Sequence, residues 1–402
     1  MKSHRVADLV FILLFLTIVA VVTAVTVFTP AKSTSEYENR NLAKRPVLDP
    51  AIMLDDGYFL EWEAYFTDHA AAREWLLRAK TIIDLELLGR PVVNGVIASG
   101  DLYLEYFPFS EPDEQWWLWQ SNRMMAELSS LRDVISSYGG DFYYVAVPSH
   151  ETWFADDYPW YTNNNDIKMD FIFNAFIEGT SKAGINVIFP FLGLTSEDTL
   201  DGVPLYFASD HHYSFAGAYL TYRSIVERIN GDGKYSLPML DYGDFEFYAL
   251  PNPFMGSQLR KLMNVPPLNE RASIAILAED IPFTRADSGV QFDPPRVYRL
   301  PDDPDSIINY ELYMGGDSAE TVIETNRDLP SVLVFGDSMT NAVECLLYTS
   351  AGEFRSIDLR HFSDMALSEY VEIFKPDIVI CMRGYANLVN PDGNGTVMPK
   401  LT

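Results

Sequence analysis

The sequence predicts an α/β fold, a parallel sheet flanked by helices, with an N-terminal transmembrane helix ahead of it. Three observations lead there. From Phe142 onward, short β-branched or aromatic runs alternate with helix-length segments whose apolar residues recur at three and four spacing. One such run, Val332-Leu333-Val334-Phe335, passes through Gly336-Asp337-Ser338 directly into helix-forming residues, the pattern of a buried parallel strand that turns tightly into a helix. Finally, Leu9 to Phe28 is almost continuously apolar, and about 20 residues at 1.5 Å rise span a hydrocarbon core of about 30 Å.

With 402 residues, 48% of them hydrophobic and 14% aromatic, the chain has ample material for a packed core. A formal net charge of -28 argues against nucleic acid as a partner, because phosphates require clustered Lys and Arg. The acidic residues are dispersed and read as a solvated surface. Two cysteines, Cys345 and Cys381, supply neither a disulfide framework nor a four-ligand zinc site, and are expected as packed thiols.

Lys2, His4 and Arg5 precede the apolar run, so the positive-inside rule leaves residues 1–8 in the cytoplasm, 9–29 in the membrane and the rest outside. A cleaved signal with its site near Val22-Thr23-Ala24 is the alternative, but the run exceeds a typical signal core and an uncleaved anchor is expected. Residues 30–90 read as a polar linker, which includes Glu36, Glu38, Asn39 and Arg40, followed by a helical segment from Tyr58 to Leu88. Its stripe of Phe59, Trp62, Phe66, Trp75, Leu76, Ile82, Ile83 and Leu87 is expected in the core, and Gly89 and Pro91 stop it.

The main body begins at residue 91. Val92 to Tyr106 reads as a hairpin around Ser99-Gly100-Asp101. Helices are predicted over Gln115–Tyr138, Asp166–Lys182, Phe215–Ile229 and Ser368–Phe374, and strands over Phe142–Val147, Asn186–Phe189, Arg355–Leu359 and Asp377–Met382. The loop Pro148-Ser149-His150-Glu151 follows a strand, where open α/β sheets bind ligands, and is a candidate pocket wall. Residues 243–326, rich in Pro, Asp and Gly, read as an irregular insertion packed over the active face.

Ser338 falls at a helix N-terminus, where unpaired N–H groups and the macrodipole favour an oxyanion. A serine needs a base to become a nucleophile. The candidate base lies in Ser209-Asp210-His211-His212-Tyr213-Ser214. If that segment is extended, Asp210 and His212 face one side together while His211 points away, and Asp210 fixes the imidazole tautomer. Competing readings are a helix cap at Asp210 or Ser214, a metal site at Asp210, His211 and His212, and an ordinary strand-to-helix turn at Ser338. Three adjacent residues hold one ion awkwardly, so no metal is expected. Trp153, Trp160 and Tyr213 suit either sugar stacking or the core.

Asp210-His211-His212-Tyr213 followed much later by Gly336-Asp337-Ser338 resembles the DHHW family and the related alginate O-acetylation proteins, which carry an SGNH-hydrolase-like domain. The likeness extends to Glu38-Asn39-Arg40-Asn41-Leu42, Phe66 to Arg73, the strand-loop near Pro148, Tyr313 to Thr325, Asp358 to Phe362 and Lys375-Pro376-Asp377. It departs at Tyr213, where the family has Trp, and at Gly384-Tyr385-Ala386-Asn387-Leu388. The resemblance implies an SGNH-like catalytic domain over 91–402, with Ser338 as nucleophile, His212 as base and Asp210 as its orienting partner. Arg360, Asn387 and Tyr213 are implied as oxyanion or substrate contacts, with Arg360 alternatively pairing a carboxylate. The implied activity is O-acetylation of a cell-surface or exported polysaccharide without a cofactor, the acetyl group supplied by a membrane-embedded acyltransferase partner. A carbohydrate esterase using water as acceptor and a non-catalytic glycan-binding protein are the alternatives.

Overall fold

A computed structural model of the chain describes residues 2–35, 37–38, 40–47, 56–111, 113–391 and 396–399. Glu36 and Asn39 of the linker lie outside the described residues. The chain divides into two compact units, one formed by Met1–Asn94 with Leu259–Pro267, the other by Gly95–Gln258 with Leu268–Thr402.

In the first unit, α1 (Lys2–Phe28) contains the stretch Asp8–Phe28, with mean hydropathy 2.9, long and apolar enough to cross a membrane. The segment predicted as one helix is two, α2 (Asp56–His69) and α3 (Arg73–Ile82), the latter running into a π-helical turn at Ile83–Leu87. The break falls at Ala72, whose backbone is left-handed at φ 59°. The expected core stripe is also corrected. Tyr58 and Tyr65 are buried, whereas Phe59, Trp75 and Leu87 are 60%, 66% and 76% exposed. Apolar spacing defines a face of a helix but not what covers it. The linker is tied to this unit by ion pairs of Arg40 with Asp68 at 2.5 Å and Arg73 with Glu38 at 2.7 Å.

The second unit opens with the predicted hairpin, β1 (Val96–Ser99) and β2 (Leu102–Glu105), turning at Gly100 with φ 62°. Then follow α4 (Glu114–Ser137), β3 (Asp141–Val147), α5 (Asp166–Ala183), β4 (Asn186–Ile188) and α6 (Phe215–Gly231). The segment read as irregular contains β5 (Phe245–Ala249), β6 (Ser273–Leu277), β7 (Thr284–Asp287), β8 (Val290–Gln291) and β9 (Glu320–Glu324). The chain continues through β10 (Val332–Gly336), α7 (Thr340–Leu347), β11 (Glu353–Ile357), α8 (Leu367–Phe374) and β12 (Ile378–Gly384).

Eight strands form the central sheet in the order β8-β7-β9-β11-β10-β12-β3-β4. The five from β11 to β4 are parallel, as predicted. At the other edge β9, β7 and β8 add antiparallel strands, which makes the sheet mixed and 243–326 less irregular than its composition suggests. Its strands are two to five residues long, and the one next to the sheet edge is polar. β7 reads Thr-Arg-Ala-Asp, and Arg285, 3% exposed, is satisfied inside by Asp287 and by the carbonyls of Arg296 and Met314.

Strand alternation divides the core. Val332 and Val334 pack with residues of α6 and α7, while Leu333 and Phe335 pack on the other face with residues of α4, α5 and α8. Cys345 and Cys381 lie in these two separate clusters, both free and buried. The route from β10 to β11 thus crosses one face and the return to β12 crosses the other, so the end of β10 is a topological switch point, the usual ligand crevice of such sheets. Gly336 is required there. A Cβ on it would lie 1.8 Å from the Met382 carbonyl oxygen of the neighbouring strand.

Candidate active site

Ser338 follows β10 at this switch point and is partly exposed. Its turn is braced from three sides by Asp337. One carboxylate oxygen accepts from the Gly384 N–H and from Asn387 Nδ2, each at 3.1 Å, and the other accepts from the Met339 N–H at 3.1 Å. Asn387 therefore meets the site through Asp337.

The loop before α6 brings the other two groups. His212 Nε2 is 2.7 Å from Ser338 Oγ, and His212 Nδ1 is 2.5 Å from Asp210 Oδ1. Since the carboxylate only accepts, Nδ1 carries the hydrogen and Nε2 is left to take a proton from the hydroxyl. Asp210 is 1% exposed and His212 5%. Burial pushes the Asp210 carboxyl up, but the imidazoles of His212 and His211 and the hydrogen bonds from His212 and the Ser257 N–H outweigh it. The net shift is well below the ordinary range.

The local reason for this arrangement differs from the one read in the sequence. Residues 208–212 form a bend rather than a strand. Asp210 Oδ1 also accepts from the His212 N–H at 3.1 Å, an Asx-type turn that brings residue i+2 back over the carboxylate. His211 accordingly does not leave the site. Its ring centroid is 3.8 Å from that of His212, and its Nδ1 is 2.8 Å from Ser257 Oγ. Ser214, not Asp210, caps α6.

Groups without a sequence signature hold this loop. Ser257 N donates to Asp210 Oδ2 at 2.6 Å, and Gly256 N donates to Ser209 Oγ at 3.1 Å. A Cβ at Gly256 would lie 2.2 Å from the Ser209 carbonyl oxygen, so only glycine permits this approach. Glu270 accepts from the Ala208 N–H at 2.6 Å and from the Ser209 hydroxyl, and burial pushes its carboxyl upward. Tyr310 stacks on His212. Gly256, Ser257, Glu270 and Tyr310 all come from the stretch that composition left featureless.

Other expected site residues fall elsewhere. Tyr213 is fully buried and its hydroxyl donates to the Met339 carbonyl. It is a strut between the two loops and not a wall for substrate, which corrects the contact implied for it. Arg360 is paired with Asp358 at 2.5 Å and Asp317 at 2.7 Å, the alternative raised from the sequence. The Pro148–Glu151 loop is also corrected. His150 and Glu151 are buried, and His150 Nε2 donates to the Phe207 carbonyl at 3.1 Å. Burial lowers the His150 imidazole to about 4, so it is a neutral prop beneath the loop. Trp153 is core, stacked on Tyr206, whereas Trp160 is 94% exposed.

Two sets of side chains have metal-ligand spacing, Asp210 with His211 and His212, and Asp317 with Asp358 and His361. In the first, Asp210 is already bonded to His212 and Ser257. In the second, both carboxylates hold Arg360. These pairings already occupy the carboxylates, and the hydroxyl-imidazole-carboxylate relay is what the arrangement offers chemically.

No protein-family profile and no curated protein matches the chain. Solved structures do. Bacillus cereus PatB1 bearing a sulfonyl adduct aligns at 19% identity over 75% of this chain and 97% of its own, with TM-score 0.61. A DHHW family protein from Eubacterium siraeum aligns at 15% identity over 77% and 98%, with TM-score 0.55. The chain shares their fold. A DHHW protein among these structures agrees with the resemblance carried by Asp210-His211-His212-Tyr213.

Proposed function

We propose that this chain is a membrane-anchored, extracytoplasmic O-acetyltransferase that modifies a cell-surface or exported polysaccharide through an acyl-serine intermediate. The observation that carries this reading is the continuous relay from Asp210 through His212 to Ser338, with contacts of 2.5 and 2.7 Å. The sequence resemblance to DHHW and alginate O-acetylation proteins supports the acetyl and polysaccharide parts. PatB1, which shares the fold, has been captured with a sulfonyl adduct, the type of product that an activated hydroxyl forms with a sulfonyl reagent.

In the proposed cycle His212 Nε2 takes the Ser338 proton as Oγ adds to the acetyl carbonyl of the donor. The backbone N–H of Ser338 makes no hydrogen bond among the described residues and stands at the entry to α7, where it serves the oxyanion. Collapse expels the donor's leaving group, which takes the proton from Nε2 and leaves acetyl-Ser338. A sugar hydroxyl then gives its proton to Nε2 and attacks the ester. The second collapse returns the proton to Oγ and releases the acetylated sugar. Asp210 stays ionised and holds the ring throughout. A membrane-embedded acyltransferase is the proposed source of acetyl groups.

The test is partition of the acyl-enzyme. Given p-nitrophenyl acetate and a soluble oligosaccharide, the protein is expected to yield acetylated oligosaccharide by mass spectrometry, with yield rising with acceptor concentration. Release of acetate alone, at a rate indifferent to acceptor, makes the chain an esterase and overturns the transferase reading.

A further inference from the structure

The first unit carries large apolar side chains that stay exposed among the described residues. On α2, Phe59 and Phe66 are seven residues apart, on one face, and 60% and 38% exposed. On α3 and its π-helical extension, Trp75, Leu76, Ile83 and Leu87 follow helical spacing and are 66%, 55%, 47% and 76% exposed. Uncovered stripes of this kind on consecutive helices mark an interaction surface.

The same unit indicates what covers them. The elbow between α2 and α3 is fastened to the end of the apolar helix, since the Ala71 N–H donates to Thr26 Oγ1 at 3.0 Å and Thr26 is buried at 4%. Val25, Thr29 and Pro30 line a cavity of about 350 Å³ together with Lys32, Ser35, Leu42 and residues 68–75. Thr26 is two residues before the end of α1 at Phe28. The inference rests on the membrane anchor proposed above: with α1 across the bilayer, the elbow is fixed at the level where α1 leaves the hydrocarbon, and by helix rise each stripe lies within about 25 Å of it. Exposed Phe and Trp side chains at that level suit the boundary between headgroups and acyl chains.

We propose that α2 and α3 lie in the outer interface of the bilayer with these stripes buried among lipid, so that the chain holds the membrane by an interfacial platform as well as by α1. Placement of the elbow follows from the Thr26–Ala71 bond and the shared cavity. The surface is independent of the chemistry at Ser338.

The experiment uses the full chain in phosphatidylcholine nanodiscs, with a nitroxide attached singly at Phe66→Cys, Leu76→Cys, Glu61→Cys or Leu16→Cys. The native thiols at Cys345 and Cys381 are buried and stay unlabelled. Relaxation by oxygen is compared with relaxation by a water-soluble nickel complex. Oxygen is expected to dominate at positions 66, 76 and 16, and nickel at 61. Nickel dominance at 66 and 76 with oxygen dominance at 16 overturns the platform while leaving the anchor, and means that the face meets water or a protein partner. Nickel dominance at 16 removes the anchor and the platform together.

Discussion

The imidazole of His212 lies flat against the ring of Tyr310, with 3.7 Å between centroids and 3° between planes. The Tyr310 hydroxyl is buried with no hydrogen-bond partner among the described residues. The ring, not the hydroxyl, therefore does the positioning. It blocks rotation of an imidazole that must address Asp210 and Ser338 together. Removing a stacked ring costs about 0.5–1.5 kcal/mol, so Tyr310→Leu is expected to lower kcat/KM for p-nitrophenyl acetate about 3- to 10-fold. Tyr310→Phe keeps the stack and is expected to stay near wild type. A Phe variant as impaired as the Leu variant would transfer the role to the hydroxyl.

Asp210→Asn changes the hydrogen bond that sets the His212 tautomer, and kcat is expected to fall by about 10³- to 10⁴-fold. Its stability effect has a definite sign with pH. The folded-state carboxyl titrates below its ordinary value of 3.8. The ion thus contributes stability above that unfolded value, and the contribution is lost as pH falls through the lower folded one. The Tm gap between wild type and Asp210→Asn is expected to be full at neutral pH and to narrow below pH 3.8. A gap that widens toward low pH would reverse the sign.

Tyr213→Phe deletes the donor to the buried Met339 carbonyl beside the nucleophile. An unsatisfied buried acceptor costs about 1–3 kcal/mol, so denaturant unfolding is expected to show a loss of that size. Because Tyr213 has no exposed surface, KM for the sugar acceptor is expected to hold while kcat falls. A raised acceptor KM with unchanged stability would restore Tyr213 to the substrate wall.

These residues show how much of the site was legible in the sequence. Asp210, His212 and Ser338 were visible because an Asp-x-His pair and a Gly-Asp-Ser turn after an apolar run are short local patterns, while their joint role came from the resemblance that Asp210-His211-His212-Tyr213 carries. β10 and β12 were visible because buried parallel strands read as continuous apolar runs. Tyr310, Gly256 and Ser257 were not, since they sit between strands of two to five residues, too short for periodicity to register. Asp337 was in view within Gly336-Asp337-Ser338, but its three hydrogen bonds come from backbone and from Asn387, 50 residues on. The stripe from Phe59 to Leu87 reads as core in the sequence and is largely exposed, because spacing defines an apolar face without showing what covers it.

The proposed chemistry depends most directly on the nucleophilicity of Ser338, and intact mass spectrometry of the full chain after brief exposure to p-nitrophenyl acetate reads it. The expected result is one added acetyl group, mapped by peptide fragmentation to Ser338, absent in Ser338→Ala and strongly reduced in His212→Ala. Acetylation of Ser338→Ala to the same extent as wild type, or a wild-type adduct mapping to another residue, would contradict it.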